Sequence, residues 1–178
     1  MNLLARLLYR LTANRPTRLI KIEGQPYMER YFIGQLLGLT VYLHRFVRDD
    51  HERSLHNHPW NHAISLVLTG HYQEHHAPFA RWIEPDLVVA TVETRPVRWL
   101  NHITRATLHR IAGVKPETWT LFIHTGWKHK WGFLHGLGVH WPHYEYRIYQ
   151  SDQPREWWHT AKPGRLIGRE PFGGRHAH

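Results

Sequence analysis

Histidine is the residue that could do chemistry here: there are 18 in 178 residues, and His56, His58 and His62 fall in one run. The pair His56 and His58, with Asn57 between them, has the more telling spacing. On a strand, residues i and i+2 point to the same face, so two imidazoles would aim at one place. Neutral imidazole is a ligand for zinc, iron, nickel, copper and manganese. The chain has no cysteine, which excludes thiolate zinc sites, iron–sulfur clusters, disulfides and a cysteine nucleophile. Any metal must therefore use nitrogen and oxygen ligands. A further ligand has to come from another element, and His109 is the candidate. If its segment is a strand, Thr107, His109 and Ile111 share one face, which places the imidazole inward. The plainer alternative is a hydrogen-bonded core histidine, since chance pairs are expected in a histidine-rich chain.

The elements that must position these side chains read as β. Residues 41–47, 64–68, 87–93, 106–111, 118–124 and 144–149 are short, rich in β-branched and aromatic residues, and separated by turn signals such as Thr69-Gly70 and Thr125-Gly126. Many short strands of this kind predict a sandwich or barrel. Residues 2–13 predict one short helix, with Leu4, Leu7, Leu8 and Leu11 at helical spacing and Arg6 and Arg10 on another side. That stripe is expected to pack on the core or on a second subunit rather than on a membrane. The organisation expected is a helix over 1–20, one barrel over 21–160, and a tail over 161–178 that is loosely ordered or draped over the body. No apolar run approaches the ~20 residues needed to span a bilayer, and Arg6 and Arg10 interrupt any signal-peptide core. A cytoplasmic protein is the expectation.

The charge balance narrows the partner. Lysine and arginine number 23 against 14 acids, a formal charge of +9, which favours anionic ligands in general. Arg110, Lys128 and Lys130, placed at a barrel mouth, could select an anionic substrate, and Trp60 and Trp131 could shape its pocket. Lysines interleaved with tryptophans over 125–132 could also grip a phosphate and stack a base. The alternative is a basic turn whose tryptophans cap the barrel, so nucleic acid ranks below a small molecule as partner. Arg45, Arg48, Asp49, Asp50, His51, Glu52 and Arg53 read as a solvated, self-neutralising loop. His75, His76, His176 and His178 read as surface or tail. There is no phosphate-cradling glycine loop, dinucleotide fingerprint or nucleophile elbow.

The run Leu55-His56-Asn57-His58-Pro59-Trp60, with Ser65-Leu66-Val67-Leu68-Thr69-Gly70-His71-Tyr72-Gln73-Glu74 after it, resembles the first motif of a cupin. More narrowly, the chain resembles small bacterial and phage cupin-like proteins. It shares their His-Arg-Ile step at His109-Arg110-Ile111 and their Trp-Gly-Phe step at Trp131-Gly132-Phe133. The resemblance spans residues 22–150. It implies an all-β double-stranded β-helix, the jelly-roll barrel, with one divalent metal in its lumen: iron, zinc, nickel or manganese. His56 and His58 match the histidines of the first motif, and His109 that of the second. The motif glutamate has no counterpart, because its position falls on Ala63. His62 is then the candidate fourth ligand, or water takes that place. The family implies a metal-dependent oxidoreductase of the dioxygenase kind acting on a small, perhaps anionic, substrate. The alternatives are a non-catalytic barrel that binds a sugar or nucleotide, and a nucleic-acid-associated protein. A homodimer is also expected, since such barrels often pair.

Overall fold

Strict alternation of buried and exposed residues shows where this chain forms sheet. In β5 (His62–Thr69), Ala63, Ser65, Val67 and Thr69 are buried, while His62, Ile64 and Leu66 are exposed. The computed structural model describes residues 2–49, 54–137, 143–150 and 154–173. Asp50, His51, Glu52, Arg53, His176 and His178 lie outside the described residues.

Eight consecutive strands build the barrel: β3 (Leu39–Phe46), β4 (Leu55–His56), β5, β6 (Tyr72–Trp82), β7 (Leu87–Val97), β8 (Leu100–Thr104), β9 (His109–Ala112) and β10 (Thr118–Thr125). They divide between two sheets, each step crossing to the other sheet except the β6–β7 hairpin. One has the order β3-β10-β5-β8 and the other β4-β9-β6-β7. That interleaved antiparallel order is a jelly roll, the fold class expected from the sequence. Two strands, β1 (Thr17–Ile22) and β2 (Gln25–Leu36), extend the first sheet beyond β3. Two more, β11 (Gly132–Gly136) and β12 (His143–Ile148), join β7 back to β4 and close the second sheet into a ring.

The turn from β5 to β6 depends on Gly70. Its φ is +71°, and a Cβ there would stand 2.8 Å from the Thr118 backbone. A Gly70→Ala variant is therefore expected to lose about 1–2 kcal/mol of stability from strain and crowding together. Urea denaturation of the purified variant checks this; an unchanged midpoint would contradict it.

Packing builds one mainly aromatic core and one mainly aliphatic core. Tyr42, Trp60, Ala63, Ile103, Phe122 and Trp157 form one buried cluster, and Leu55, Val88, Ala90, Leu108, Leu134 and Tyr144 another. The helix α1 (Leu3–Leu11) starts at Asn2, whose side-chain oxygen accepts from the Leu4 and Ala5 amides. It buries Ala5 and Leu8 against Tyr31 and Trp119. Of the leucine stripe read from the sequence only Leu8 lies on the buried face: Leu4, Leu7 and Leu11 are exposed. The contact with two large flat rings takes the small Ala5 beside Leu8.

The segment after the barrel straps this helix down. Arg169 donates to the Tyr9 carbonyl at 2.8 Å, the Glu170 amide donates to Glu29 Oε1 at 2.7 Å, and Phe172 packs on Tyr9. Arg45 is the centre of this strap. It is not in a solvated loop but 1% exposed, bonded to Glu29 at 3.2 Å, to Glu117 at 2.9 Å and to the Glu170 and Pro171 carbonyls. Sequence reading missed this because all of Arg45's partners are remote in the chain. No described helix is long and apolar enough to cross a membrane.

Candidate metal centre

Two neighbouring strands deliver three imidazoles to the lumen. His56 ends β4 and pairs in register with His109 of β9 on one side and Phe133 of β11 on the other. Directly opposed residues share a face, so His56 and His109 are brought together by strand pairing alone. His58 follows two residues on and returns to the same face. The intervening Asn57 points the other way, where its Oδ1 accepts from the Gly132 amide at 2.9 Å and from the Tyr146 hydroxyl at 3.0 Å. That anchor fixes the path of the chain between the two histidines.

The ring centroids lie 4.9 Å apart for His56 and His58, 5.2 Å for His56 and His109, and 5.0 Å for His58 and His109. One nitrogen from each ring lies within 4.8 Å of the other two. His56 and His109 are buried and His58 is half-buried.

A carboxylate sets the tautomer. His109 Nδ1 is hydrogen-bonded to Glu74 Oε1, and since a carboxylate can only accept, Nδ1 carries the proton. The Nε2 lone pair of a neutral His109 then faces the lumen. There it meets His58 Nε2 at 2.7 Å. Two lone pairs cannot face each other at that distance; a proton or a cation must lie between them. In the metal-free form a single proton bridges His58 Nε2 and His109 Nε2, and the three imidazoles together could hold a divalent cation instead. The donor set, all nitrogen and backed by an acid, suits a divalent first-row metal ion.

Glu74 is itself fully buried and held from three sides. Asn101 Nδ2 donates to Oε1 and Arg95 Nε to Oε2, each at 2.6 Å. Burial pushes this carboxyl's pKa up, but the bond from His109 and the electrostatic pull of its N–H, with Asn101 and Arg95, together bring it down to about 2. Sequence analysis did not assign Glu74 a role. The signal that could have found it is its spacing from Tyr72: both lie on the inward face of β6.

The other residues singled out from sequence divide between inside and outside. Trp60 is buried with its ring stacked on His58 at 4.5 Å, and Trp131 lies 6.4 Å from the same imidazole. Both line the cavity that holds the triad. His62 does not join it. It sits on the exposed face of β5 and meets His102 of β8, Nδ1 to Nε2, at 3.3 Å. Alternation along β5 decides this, since Ala63 takes the inward position and packs with Trp60 and Phe122. Among the described residues the site thus presents three histidines and no carboxylate as candidate ligands. Arg110 lies outside for the same reason. It is one residue from His109, and its Nε donates to His75 Nδ1 at 3.0 Å across the strand pair. Lys128 and Lys130 are exposed, and neither lines the cavity.

Fold and site together define a jelly-roll barrel with a three-histidine centre in its lumen. No family model matches the sequence, and none of the curated proteins is similar to it. Similar solved structures include KdgF from Halomonas sp., with TM-score 0.44 and 14% identity over 61% of this chain and 84% of that one. Oxalate oxidase in complex with the substrate analogue glycolate has TM-score 0.41 and 15% identity, over 68% of this chain and 55% of that one. A cupin-2 domain from Rhodospirillum rubrum has TM-score 0.43 and 13% identity, over 66% and 73%. The jelly roll is established by its own strand order.

Proposed function

We propose that this chain is a cupin-type metal-binding barrel. His56, His58 and His109 hold one divalent cation, and the cavity beside it takes a small anionic ligand. The observation that carries the reading is the convergence of three imidazole nitrogens within 4.8 Å, one of them with its tautomer fixed by a buried carboxylate. A bound cation would supply a Lewis acid with open coordination positions for ligand or water. The protein's own part is positional. Glu74 keeps the His109 proton on Nδ1, and the indole of Trp60 covers one face of His58. Three neutral ligands leave the cation's full charge in a partly buried site, which favours an anionic ligand over a neutral one.

Elemental analysis of purified protein tests this. Iron, zinc, nickel or manganese is expected near one equivalent per chain. It should fall to background in His56→Ala/His58→Ala and in His109→Ala, and stay unchanged in His62→Ala. Loading that is already well below one equivalent, and does not fall further in the double variant, would sink the reading.

A further inference from the structure

The lumenal face of the first sheet carries a row of basic side chains. Arg18 of β1 stands opposite Arg30 of β2, and Arg30 stands opposite His44 of β3. Residues directly opposite on antiparallel strands share a face with Cβ atoms about 4.5–5.5 Å apart. Arg30 Nε donates to His44 Nε2 at 3.1 Å. That acceptor is neutral, because burial holds His44 well below the ordinary histidine range and Arg30 and His124 push it the same way. The Arg30 guanidinium lies 5.5 Å from the centre of the Tyr42 ring, and the charges of Arg30 and Arg18 both act on the Tyr42 hydroxyl.

These side chains share a cavity of about 470 Å³ with the three histidines. Arg18, Arg30, Lys21 and Arg155 all line it, and none of the described lining residues is an aspartate or glutamate. A cleft lined by one sign of charge between low-dielectric walls concentrates the opposite ion. A paved path joins the arginines to the histidines. The Tyr42 ring stacks on His124 at 5.6 Å, His124 on Trp60 at 4.5 Å, and Trp60 on His58 at 4.5 Å.

We propose that Arg18 and Arg30 bind the oxyanion of a small organic ligand, a carboxylate or a phosphate, and lay its body along these rings toward the three histidines. Paired guanidiniums suit this task because each presents a planar fork of donors to two oxygens at once. The proposal rests on the metal-site reading for its direction and adds the ligand class and the residues that select it.

Tryptophan fluorescence provides the test, since Trp60 and Trp157 line the cavity. Metal-free protein is titrated with benzoate, phenyl phosphate and the neutral isostere benzamide at low and high salt. At least one of the two anions should bind, more weakly in high salt, and benzamide should not. Arg18→Gln and Arg30→Gln should each weaken the anion about tenfold, the loss expected for one charge-assisted contact. Arg30→Lys should recover part of that loss. Whichever anion binds more tightly identifies a carboxylate or a phosphate as the group recognised. Near-ultraviolet circular dichroism checks each variant, and Arg18→Gln on the edge strand β1 carries the test if Arg30→Gln does not fold. The proposal is overturned by unchanged affinity in the Arg18→Gln and Arg30→Gln variants or by benzamide binding as tightly as benzoate. It also fails if neither anion saturates the wild type below about 10 mM. Metal content is measured on the same preparations. Loss of anion binding with metal loading intact is the outcome expected of the arginine variants. Absence of metal from the wild type with anion binding intact removes the metal reading alone.

Discussion

Replacing Glu74 by alanine is expected to weaken metal binding by about 10- to 100-fold, the range for losing the partner that orients a ligand histidine. The same change should destabilise the fold by about 3–5 kcal/mol, because Glu74 is one half of a buried ionic contact. Glu74 has no exposed surface, and removing its carboxylate leaves His109, Asn101 and Arg95 without their shared acceptor. Arg95 can turn to water, since its side chain is 43% exposed, whereas His109 and Asn101 are buried. Glu74→Gln separates the two effects. It keeps the volume and an acceptor for His109 but removes the charge, so metal affinity should fall less than in the alanine variant. Chelator competition measures the affinity and urea denaturation of metal-free protein the stability. Wild-type affinity in Glu74→Ala would show that the acid does not orient His109.

A second large effect is expected on acidification. His44 and His124 are both buried in the lumen. Burial lowers the pKa of His124 from 6.5 to about 4; its bond to the Thr125 carbonyl opposes the shift and Arg30 adds to it. His44 is lowered in the same direction, also by burial first. The sign follows from proton counting. Between about 4 and 6.5 the unfolded chain holds a proton on His124 that the folded protein does not, so stability rises with pH across that window. Above 6.5 the histidine is neutral in both states and contributes no slope. Stability is therefore lost as pH falls from 6.5 to about 4, and His124 alone accounts for about 3 kcal/mol of it. Urea midpoints of metal-free protein at pH 7.5 and 4.5 measure the slope. His124→Gln should flatten it, and a slope equal to wild type in that variant would show that His124 is not the group responsible.

How much of the site was legible follows from strand geometry. His56 and His58 could be paired from their spacing because a strand repeats every two residues. His109 could be placed inward by the same alternation, although the strand is shorter than read: β9 begins at His109 itself, and Thr107 lies in the turn where its hydroxyl accepts from the Thr104 amide. Strand β6 was not read as a strand at all, and with it went Glu74. The lumenal residues Arg30 and His44 were equally hidden. Each looks like an ordinary basic residue in a strand until β1, β2 and β3 are laid side by side in register.

The sequence by itself determined that this chain is β, that it has a short helix before the barrel, and that His56 and His58 share a face. Those are local properties, set by side-chain periodicity over a few residues. Only the tertiary structure decided the rest. Inward or outward placement set His62 and Arg110 apart from the triad, because a one-residue offset reverses the face. The partners of His109, of Arg30 and of Arg45 come from strands, turns and a tail far along the chain, and no local pattern encodes which remote strand will lie alongside.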